Sequence, residues 1–210
     1  MGGFRGGGPP VPQLFHVDGG SGIKIFRGEG LRKSLGSALT PDGRYIWFSR
    51  RQTTRDWDYN AQLPAYHIAV YDRETGNTFT RVSRYGGAFR PTLSADGLNL
   101  VYGTRHEDQT GLMIRDLETS EERWLAYPVQ HDDQESRGTL DVLPGMSFTP
   151  DGSALIASYG GKLWSIPVAG GDAVEIPFRV QTEVEVGALV DFDYPIEDTP
   201  TFMVRQIRDA

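Results

Sequence analysis

The sequence predicts an all-β protein assembled from repeated four-stranded sheets, and two recurring patterns support this fold class. The first is an ungapped hairpin pattern that occurs three times, with its aspartates at positions 42, 96 and 151. The second is a strand, a short turn and a further strand, which follows each copy of the first pattern. A repeat every 54 or 55 residues is typical of proteins built by stacking similar units, because one unit alone cannot bury its apolar faces.

The first pattern predicts a tight hairpin in each repeat. Its copies are LTPDGRYIWFS (39–49), LSADGLNLVYG (93–103) and FTPDGSALIAS (148–158). In the first copy, Pro41 presets the backbone of a type I turn, Asp42 caps the turn, and Gly43 suits the left-handed conformation that follows. The corresponding turn residues are Asp96 and Gly97 in the second copy and Pro150, Asp151 and Gly152 in the third. We therefore assign these residues a structural role.

The strands that follow these turns are apolar on both faces. Their segments are YIWF (45–48), LNLVY (98–102) and ALIA (154–157). A strand with apolar side chains on both faces is expected to be covered on both sides. We expect each of these three strands to lie between two neighbouring sheets.

The second pattern supplies two further strands, so that each repeat contains four. Its copies are AVYD with ETG (69–76), MIRD with ETS (113–120) and LWSI with AGG (163–171). At the N-terminus, LFHVDGG and IKIF (14–26) repeat this second pattern without a preceding hairpin. The chain is therefore expected to begin halfway through a repeat.

Four-stranded sheets repeated in series predict a β-propeller, whose blades pack face to face. A β-sandwich is the main alternative, but it does not require a nearly identical hairpin at regular spacing. The predicted fold is a partial all-β propeller with about three full four-stranded blades and flanking half-blade strands. The predicted divisions are a flexible Gly/Pro-rich start (1–11), a half-blade (12–28), blades (29–83, 84–126 and 144–178), an inserted loop (127–143) and a C-terminal strand pair leading to a further blade (179–210).

The hairpin, the apolar strand and the VYDRETG segment (70–76) together resemble the TolB-type, WD40-like β-propeller repeat. The resemblance covers residues 12–177, and its three sequential copies make it specific for the fold. It implies far less about activity, because one fold supports many functions.

A narrower resemblance concerns residues 115–152 and 162–178. These segments are similar to the propeller that precedes the catalytic domain in a group of bacterial amidohydrolases. The resemblance implies a noncatalytic segment of a larger protein, in which a separate barrel binds a divalent metal and hydrolyses amide-type bonds. It implies the remaining blades and that catalytic domain as partners. It also implies export to the periplasm or beyond, although residues 1–10 contain no apolar signal-peptide core.

Charge and hydropathy argue against several classes of partner. The net charge is −7, with 28 acidic and 21 basic residues, so we expect no nucleic-acid partner. No run approaches the roughly 18 consecutive apolar residues of a membrane span. The chain has no cysteine, which excludes disulfides and thiolate metal sites.

Two insertions lengthen the repeats, and both are candidate interaction loops. The first (52–64) contains Arg55, Asp56, Trp57, Asp58 and Tyr59, and the second (127–144) contains His131, Asp132, Asp133 and Glu135. Aromatic residues between charges are typical of protein-binding surfaces, although they also fold back over a blade rim. The second cluster has the ligand types of a hard-metal site but lacks the spacing of a calcium loop. We interpret it as a solvated acidic loop.

The sequence contains no catalytic motif that we can assign. A Gly-x-Ser-x-Gly elbow, a His-Glu-x-x-His helix, a phosphate-binding loop and a catalytic cysteine are all absent. We therefore predict no catalytic, cofactor-binding or metal-binding residue in this chain. Three hypotheses remain, in order of preference: a noncatalytic propeller segment of a larger amidohydrolase, a standalone TolB-like interaction module, and an independent hydrolase.

One expectation concerns the chain in isolation. Three full blades with half-units at the ends leave apolar faces and strand edges uncovered unless the two ends share one sheet. We therefore expect the isolated chain to self-associate.

Overall fold

The structure is a computed structural model that describes residues 11–25, 34–51, 66–131, 145–185, 187 and 200–201. A short N-terminal sheet pairs β1 (Gln13–Leu14) with β2 (Ile23–Lys24) in antiparallel fashion. Blade 1 contains β3 (Ser34–Leu39), β4 (Tyr45–Arg51), β5 (Tyr66–Asp72) and β6 (Thr78–Val82). Blade 2 contains β7 (Phe89–Leu93), β8 (Asn99–His106), β9 (Gln109–Asp116) and β10 (Glu122–His131). Blade 3 contains β11 (Met146–Phe148), β12 (Ala154–Tyr159), β13 (Lys162–Pro167) and β14 (Val174–Ile176).

Each blade is an antiparallel sheet whose four strands lie side by side in chain order. The first strands form the inner row of the assembly, because β7 lies beside both β3 and β11. The fourth strands form the outer edges. This arrangement confirms the predicted all-β fold with three four-stranded blades.

The first interblade core lies between blades 1 and 2. Blade 1 contributes Trp47, Ile68 and Val70, and blade 2 contributes Leu100 and Tyr102. Trp47 is 7% exposed and Tyr102 is fully buried, so two large aromatic side chains fill the space between the sheets. The packing confirms that β4 and β8 each bury a face against a neighbouring blade.

The second interblade core lies on the opposite face of blade 2. Val101 and Leu112 point away from blade 1 and pack with Leu155 and Ile166 of blade 3. Successive residues of a strand point to opposite faces, so the run Leu100, Val101 and Tyr102 supplies both cores. Blade 2 is therefore buried on both of its faces.

Blade 3 has one face that neither core includes. We call it the open face and define it by Ile156, Leu163, Val174 and Ile176. Strand pairing aligns Ile156 with Ser165 and Leu163 with Ile176, so these side chains share one side of the sheet. Val174 is 62% exposed, and the other three are half-buried. Leu155 and Ala157 of the ALIA strand face blade 2, whereas Ile156 faces away from it and is half-buried. Coverage of the second side of this strand stays a prediction.

The boundary between the last strand of blade 2 and the inserted loop differs from the predicted one. Strand β10 continues to His131, although the inserted loop was predicted to start at residue 127. Two bulges, between Trp124 and Ala126 and between Ala126 and Gln130, accommodate Pro128 and let pairing resume at Gln130. The proline that indicates a loop in the sequence lies inside a bulged edge strand.

The chain divides into two compact units, residues 1–178 and residues 179–210. In the second unit, residues 179–185, 187 and 200–201 are described and contain no strand. Most of the predicted C-terminal strand pair therefore lies outside the described residues and stays a prediction. Within the described ranges, no helix has the length and apolar character needed to cross a membrane.

Candidate functional site

The antiparallel strands give the blades two distinct ends. The short turns after the first and third strands of each blade lie at one end, which we call the turn end. The connections after the second and fourth strands lie at the opposite end, the loop end. At the turn end, neighbouring blades come close together, because a Cβ atom at Gly97 would lie 3.0 Å from the Pro41 ring. The predicted turn residues therefore occupy one end of the structure.

The turn of blade 1 is held by a compact hydrogen-bond network around Asp42. Its Oδ1 accepts hydrogen bonds from Thr40 Oγ1 at 2.5 Å and from the Arg44 backbone N–H at 3.0 Å. The Gly43 N–H donates to the Thr40 carbonyl at 2.8 Å, with Gly43 at φ +70°. The Tyr45 N–H donates back to Thr40 Oγ1 at 3.0 Å. The network forms a tight turn with Gly43 in the left-handed region.

The same network recurs in the other two blades. In blade 2, Ser94 Oγ donates to Asp96 Oδ1 at 2.5 Å, and in blade 3, Thr149 Oγ1 donates to Asp151 Oδ1 at 2.6 Å. The hydroxyl residue two positions before the aspartate is thus part of each turn. The role of this hydroxyl was not predicted, although all three copies of the pattern have a Ser or Thr at that position.

These hydrogen bonds favour the ionised form of each aspartate. The Thr40 hydroxyl, followed by the Arg44 backbone N–H, lowers the pKa of Asp42, and Ser94 does the same to the pKa of Asp96. The effect is largest at Asp151, where the hydroxyl of Thr149, followed by the backbone N–H and hydroxyl of Ser153, lowers the pKa to about 2. These carboxylates hold the turns and act structurally.

A second turn strengthens blade 1 at the same end. Arg44 donates two hydrogen bonds to Asp72, from Nε at 3.3 Å and from Nη2 at 2.9 Å, and its Nη1 lies 2.9 Å from Glu74 Oε2. The Arg44 guanidinium, followed by the Glu74 backbone N–H, lowers the pKa of Asp72 to about 2. The ion pair links the two turns of blade 1.

The predicted interaction loops leave the blades at the loop end. Within the second loop, the structure describes the backbone of His131, which ends β10 and pairs with Gln109. The other predicted loop residues lie outside the described residues: Arg55, Asp56, Trp57, Asp58, Tyr59, Asp132, Asp133 and Glu135. Their role stays a prediction. Among the residues that the structure does describe, no group of three or more His, Asp or Glu is placed to hold a metal ion.

A cluster of three rings on blade 2 is the best-formed candidate for a binding surface. We call it the aromatic patch and define it by His106, Trp124 and Tyr127. The ring centroids are 4.9 Å apart for Trp124 and Tyr127, 5.5 Å for His106 and Tyr127, and 5.8 Å for His106 and Trp124. Trp124 is 37% exposed and Tyr127 is 38% exposed. The rings therefore pack on one another and also face solvent.

A regular strand pattern does not predict this patch, for a geometric reason. In a regular strand, residues three positions apart point to opposite faces, so Trp124 and Tyr127 are not expected to meet. The bulge between Trp124 and Ala126 reverses the alternation and brings both rings to one face. Bulges of this kind re-aim side chains near functional sites.

A charged network borders the patch. Tyr102 donates a hydrogen bond to Glu122 Oε1 at 2.9 Å, and the same oxygen accepts one from Arg115 Nη1 at 2.8 Å. Arg84 donates to the Tyr102 hydroxyl at 3.2 Å and lies 6.0 Å from the centre of the Trp124 ring. The two arginines are therefore engaged with Glu122 and Tyr102 beside the aromatic rings.

Comparison with known proteins identifies the fold. No family model matches the chain, and no curated protein matches it. Among solved structures, TolB from Acinetobacter baumannii matches with a TM-score of 0.58 and 20% identity over 80% of this chain and 37% of that chain. A protein from Agrobacterium tumefaciens described as TolB matches with a TM-score of 0.50 and 16% identity over 75% of this chain and 52% of that chain.

The nidogen/laminin complex also matches, with a TM-score of 0.50 and 11% identity over 73% of this chain and 51% of that chain. The chain thus spans about a third to a half of the length of these structures. The similarity shows the fold, which is an open, partial β-propeller.

A matched pair of glycine substitutions tests the close approach of neighbouring turns. Gly97 and Gly152 have nearly the same φ, +75° and +71°, but a Cβ atom contacts the Pro41 ring at position 97 and meets nothing within 4 Å at position 152. Gly152→Ala should cost about 1–2 kcal/mol of stability through left-handed strain alone. Gly97→Ala should cost about 1 kcal/mol more, because the Pro41 ring must shift. Urea unfolding measures both values, and equal losses would contradict the predicted contact.

The low pKa of Asp151 predicts a pH-dependent contribution to stability. An aspartate in an unfolded chain titrates near 3.9, above the folded value, so its carboxylate stabilises the fold above about pH 4. That contribution is lost as the pH falls toward 2. The variant Asp151→Asn keeps the size of the side chain but removes its charge. The difference in urea midpoint between the parent protein and this variant should therefore shrink between about pH 5 and about pH 2.5.

The matched control for this titration is Asp172→Asn, which removes the same charge at an exposed position in the last hairpin of blade 3. A midpoint difference for Asp151→Asn that stays constant over the pH range would refute the role assigned to the carboxylate.

Proposed function

We propose that this chain is a noncatalytic TolB-like propeller segment of a larger metal-dependent amidohydrolase, in which it acts as a scaffold that shapes substrate access or binds partners. The observation that carries the proposal is the open face of blade 3. Its apolar side chains occupy the positions that blades 1 and 2 use to pack against the next blade.

The equivalence follows from the repeat itself. Trp47, Val101 and Ile156 occupy the same position after the Asp-Gly turn. Trp47 and Val101 are 7% and 0% exposed in the two interblade cores, whereas Ile156 is half-buried and lies outside both. Leu163 likewise corresponds to Leu112 of blade 2 through strand pairing. A sheet face with this pattern is suited to receive a further propeller blade.

The choice of parent protein rests on the sequence resemblance of residues 115–152 and 162–178 to the propellers of bacterial amidohydrolases. In this proposal, the divalent metal belongs to the catalytic domain, and the parent protein is located in the periplasm or outside the cell. The second candidate is a standalone interaction module, which the exposed Trp124 and Tyr127 rings favour.

Reading the coding sequence in frame beyond codon 210 tests the proposed parent. We expect it to continue into a further Pro-Asp-Gly hairpin and then into a His-x-His strand of a metal-dependent barrel. A stop codon directly after Ala210 would refute the proposal and leave the standalone module.

The open face itself makes a separate prediction for the isolated chain. If its apolar side chains drive self-association, Ile156→Lys should shift the sedimentation profile toward the monomer, because a charge on that face opposes its burial. The stability of the variant should change by less than about 1 kcal/mol, since the side chain is only half-buried.

The control for this experiment is Val17→Lys, which introduces the same charge at a residue that is 94% exposed in the connection between β1 and β2. An equal loss of self-association in both variants would show that net charge, rather than the open face, controls assembly.

A further inference from the structure

The aromatic patch is held in a fixed geometry by its surroundings. The Tyr127 hydroxyl donates a hydrogen bond to the His106 carbonyl oxygen at 3.1 Å, which fixes its ring beside the end of β8. Beneath the rings lies Gly111, where a Cβ atom would come within 2.6 Å of Trp124 and 2.7 Å of Tyr127. The rings therefore depend on the absence of a side chain at this position. A surface fixed before binding loses little conformational entropy on complex formation.

The patch lies at the exposed end of a row of large side chains that crosses blade 2 from β8 to β10. Strand pairing aligns Tyr102 with Met113 and Met113 with Trp124. Tyr102 and Met113 are 0% and 6% exposed, whereas Trp124 is 37% exposed at the outer strand. A row of large side chains that is buried on β8 and β9 thus opens to solvent on β10.

The charges around the rings favour a cationic ligand. Glu107 and Asp108 form the exposed turn that follows His106. This turn joins β8 to β9 directly after the His106 ring of the patch. Burial, followed by the negative charges of Glu107 and Asp108, raises the pKa of Tyr127. The faces of Trp and Tyr rings attract cations, and a planar guanidinium also stacks on such rings and binds carboxylates in a bidentate manner.

The structure contains an internal example of this interaction. The guanidinium carbon of Arg84 lies 6.0 Å from the centre of the Trp124 ring. Glu122 Oε2 lies 3.7 Å from Arg84 Nη1, and Glu122 Oε1 lies 2.8 Å from Arg115 Nη1, so the two arginines share this carboxylate. Glu107 and Asp108 lie in the hairpin between β8 and β9 at the loop end, whereas Glu122 begins β10 at the turn end. They provide negative charge that is separate from the Arg84 and Glu122 pair.

We propose that the aromatic patch binds an arginine side chain presented by a protein partner, with the guanidinium on the Trp124 and Tyr127 rings and against the carboxylates of Glu107 and Asp108. The inference rests on the proposed role of the propeller as an interaction scaffold. It does not depend on the identity of the parent protein, since the patch lies entirely within blade 2.

Titration of the full 210-residue chain with N-acetyl-arginine amide tests the proposal, with N-acetyl-citrulline amide as the neutral control of nearly equal shape. The readout is the indole N–H signal of Trp124 in a proton–nitrogen correlation NMR spectrum. This signal is assigned by its absence from the spectrum of the Trp124→Phe variant. We expect the arginine compound to shift this signal in a saturable manner. The citrulline compound should bind at least about fivefold more weakly, since an exposed cation–π contact strengthens binding by a factor of that order.

Two double variants, each of which removes two negative charges, test where arginine binds. Glu107→Gln with Asp108→Asn should weaken arginine binding by about two- to fivefold, because each exposed ion pair contributes modestly. Glu118→Gln with Glu121→Gln makes the same charge change at the turn end and should leave binding unchanged. All four residues are exposed, so both variants should retain the dispersed spectrum of the folded chain.

Equal responses to arginine and citrulline would overturn the proposal, and so would equal effects of the two double variants. A shift of the Trp47 or Trp164 indole signal without one at Trp124 would also overturn it. Each of these outcomes leaves the result of reading the coding sequence beyond codon 210 unaffected, so failure of the arginine site is distinguishable from failure of the proposed function.

Discussion

The structure depends on face-to-face burial between successive four-stranded sheets. Blade 2 illustrates the constraint, since Leu100 and Tyr102 pack toward blade 1 whereas Val101 between them packs toward blade 3. A sheet covered on both faces needs apolar residues at consecutive positions, which explains why these strands lack polar alternation. Each blade therefore stabilises its neighbours, and a blade with one uncovered face retains the apolar residues that a partner sheet would cover.

The turn end supports this packing by fixing where each strand begins. The hydroxyl, the aspartate and the glycine of each turn form the same hydrogen bonds in all three blades. A shift of one residue in strand register would exchange the two faces of a strand and send Val101 toward the wrong neighbour. The repeated turn therefore specifies the register on which both interblade cores depend.

Much of the fold could be predicted from the sequence because the same turn chemistry recurs at a regular period. The Asp-Gly hairpins identify the first two strands of each blade, and the second repeated pattern, which contains Asp72 in blade 1, identifies the next two. The partial exposure of Ile156 in blade 3 could not be predicted, because its strand has the same apolar pattern whether or not a partner sheet covers it. The extent of β10 was also missed, since Pro128 is typical of a loop and the bulges that accommodate it leave no simple pattern.

The aromatic patch shows how a repeat structure accommodates a unique surface. Strand pairing places Trp124 of blade 2 in the same position as Thr80 of blade 1 and Glu175 of blade 3. The repeat therefore does not require an aromatic residue there, and the interblade cores do not include it. The bulged strand, Gly111 and the Tyr127 hydrogen bond are local additions that hold the rings together. Because the regular positions maintain the fold, irregular positions on an outer strand can vary without disrupting the interblade cores.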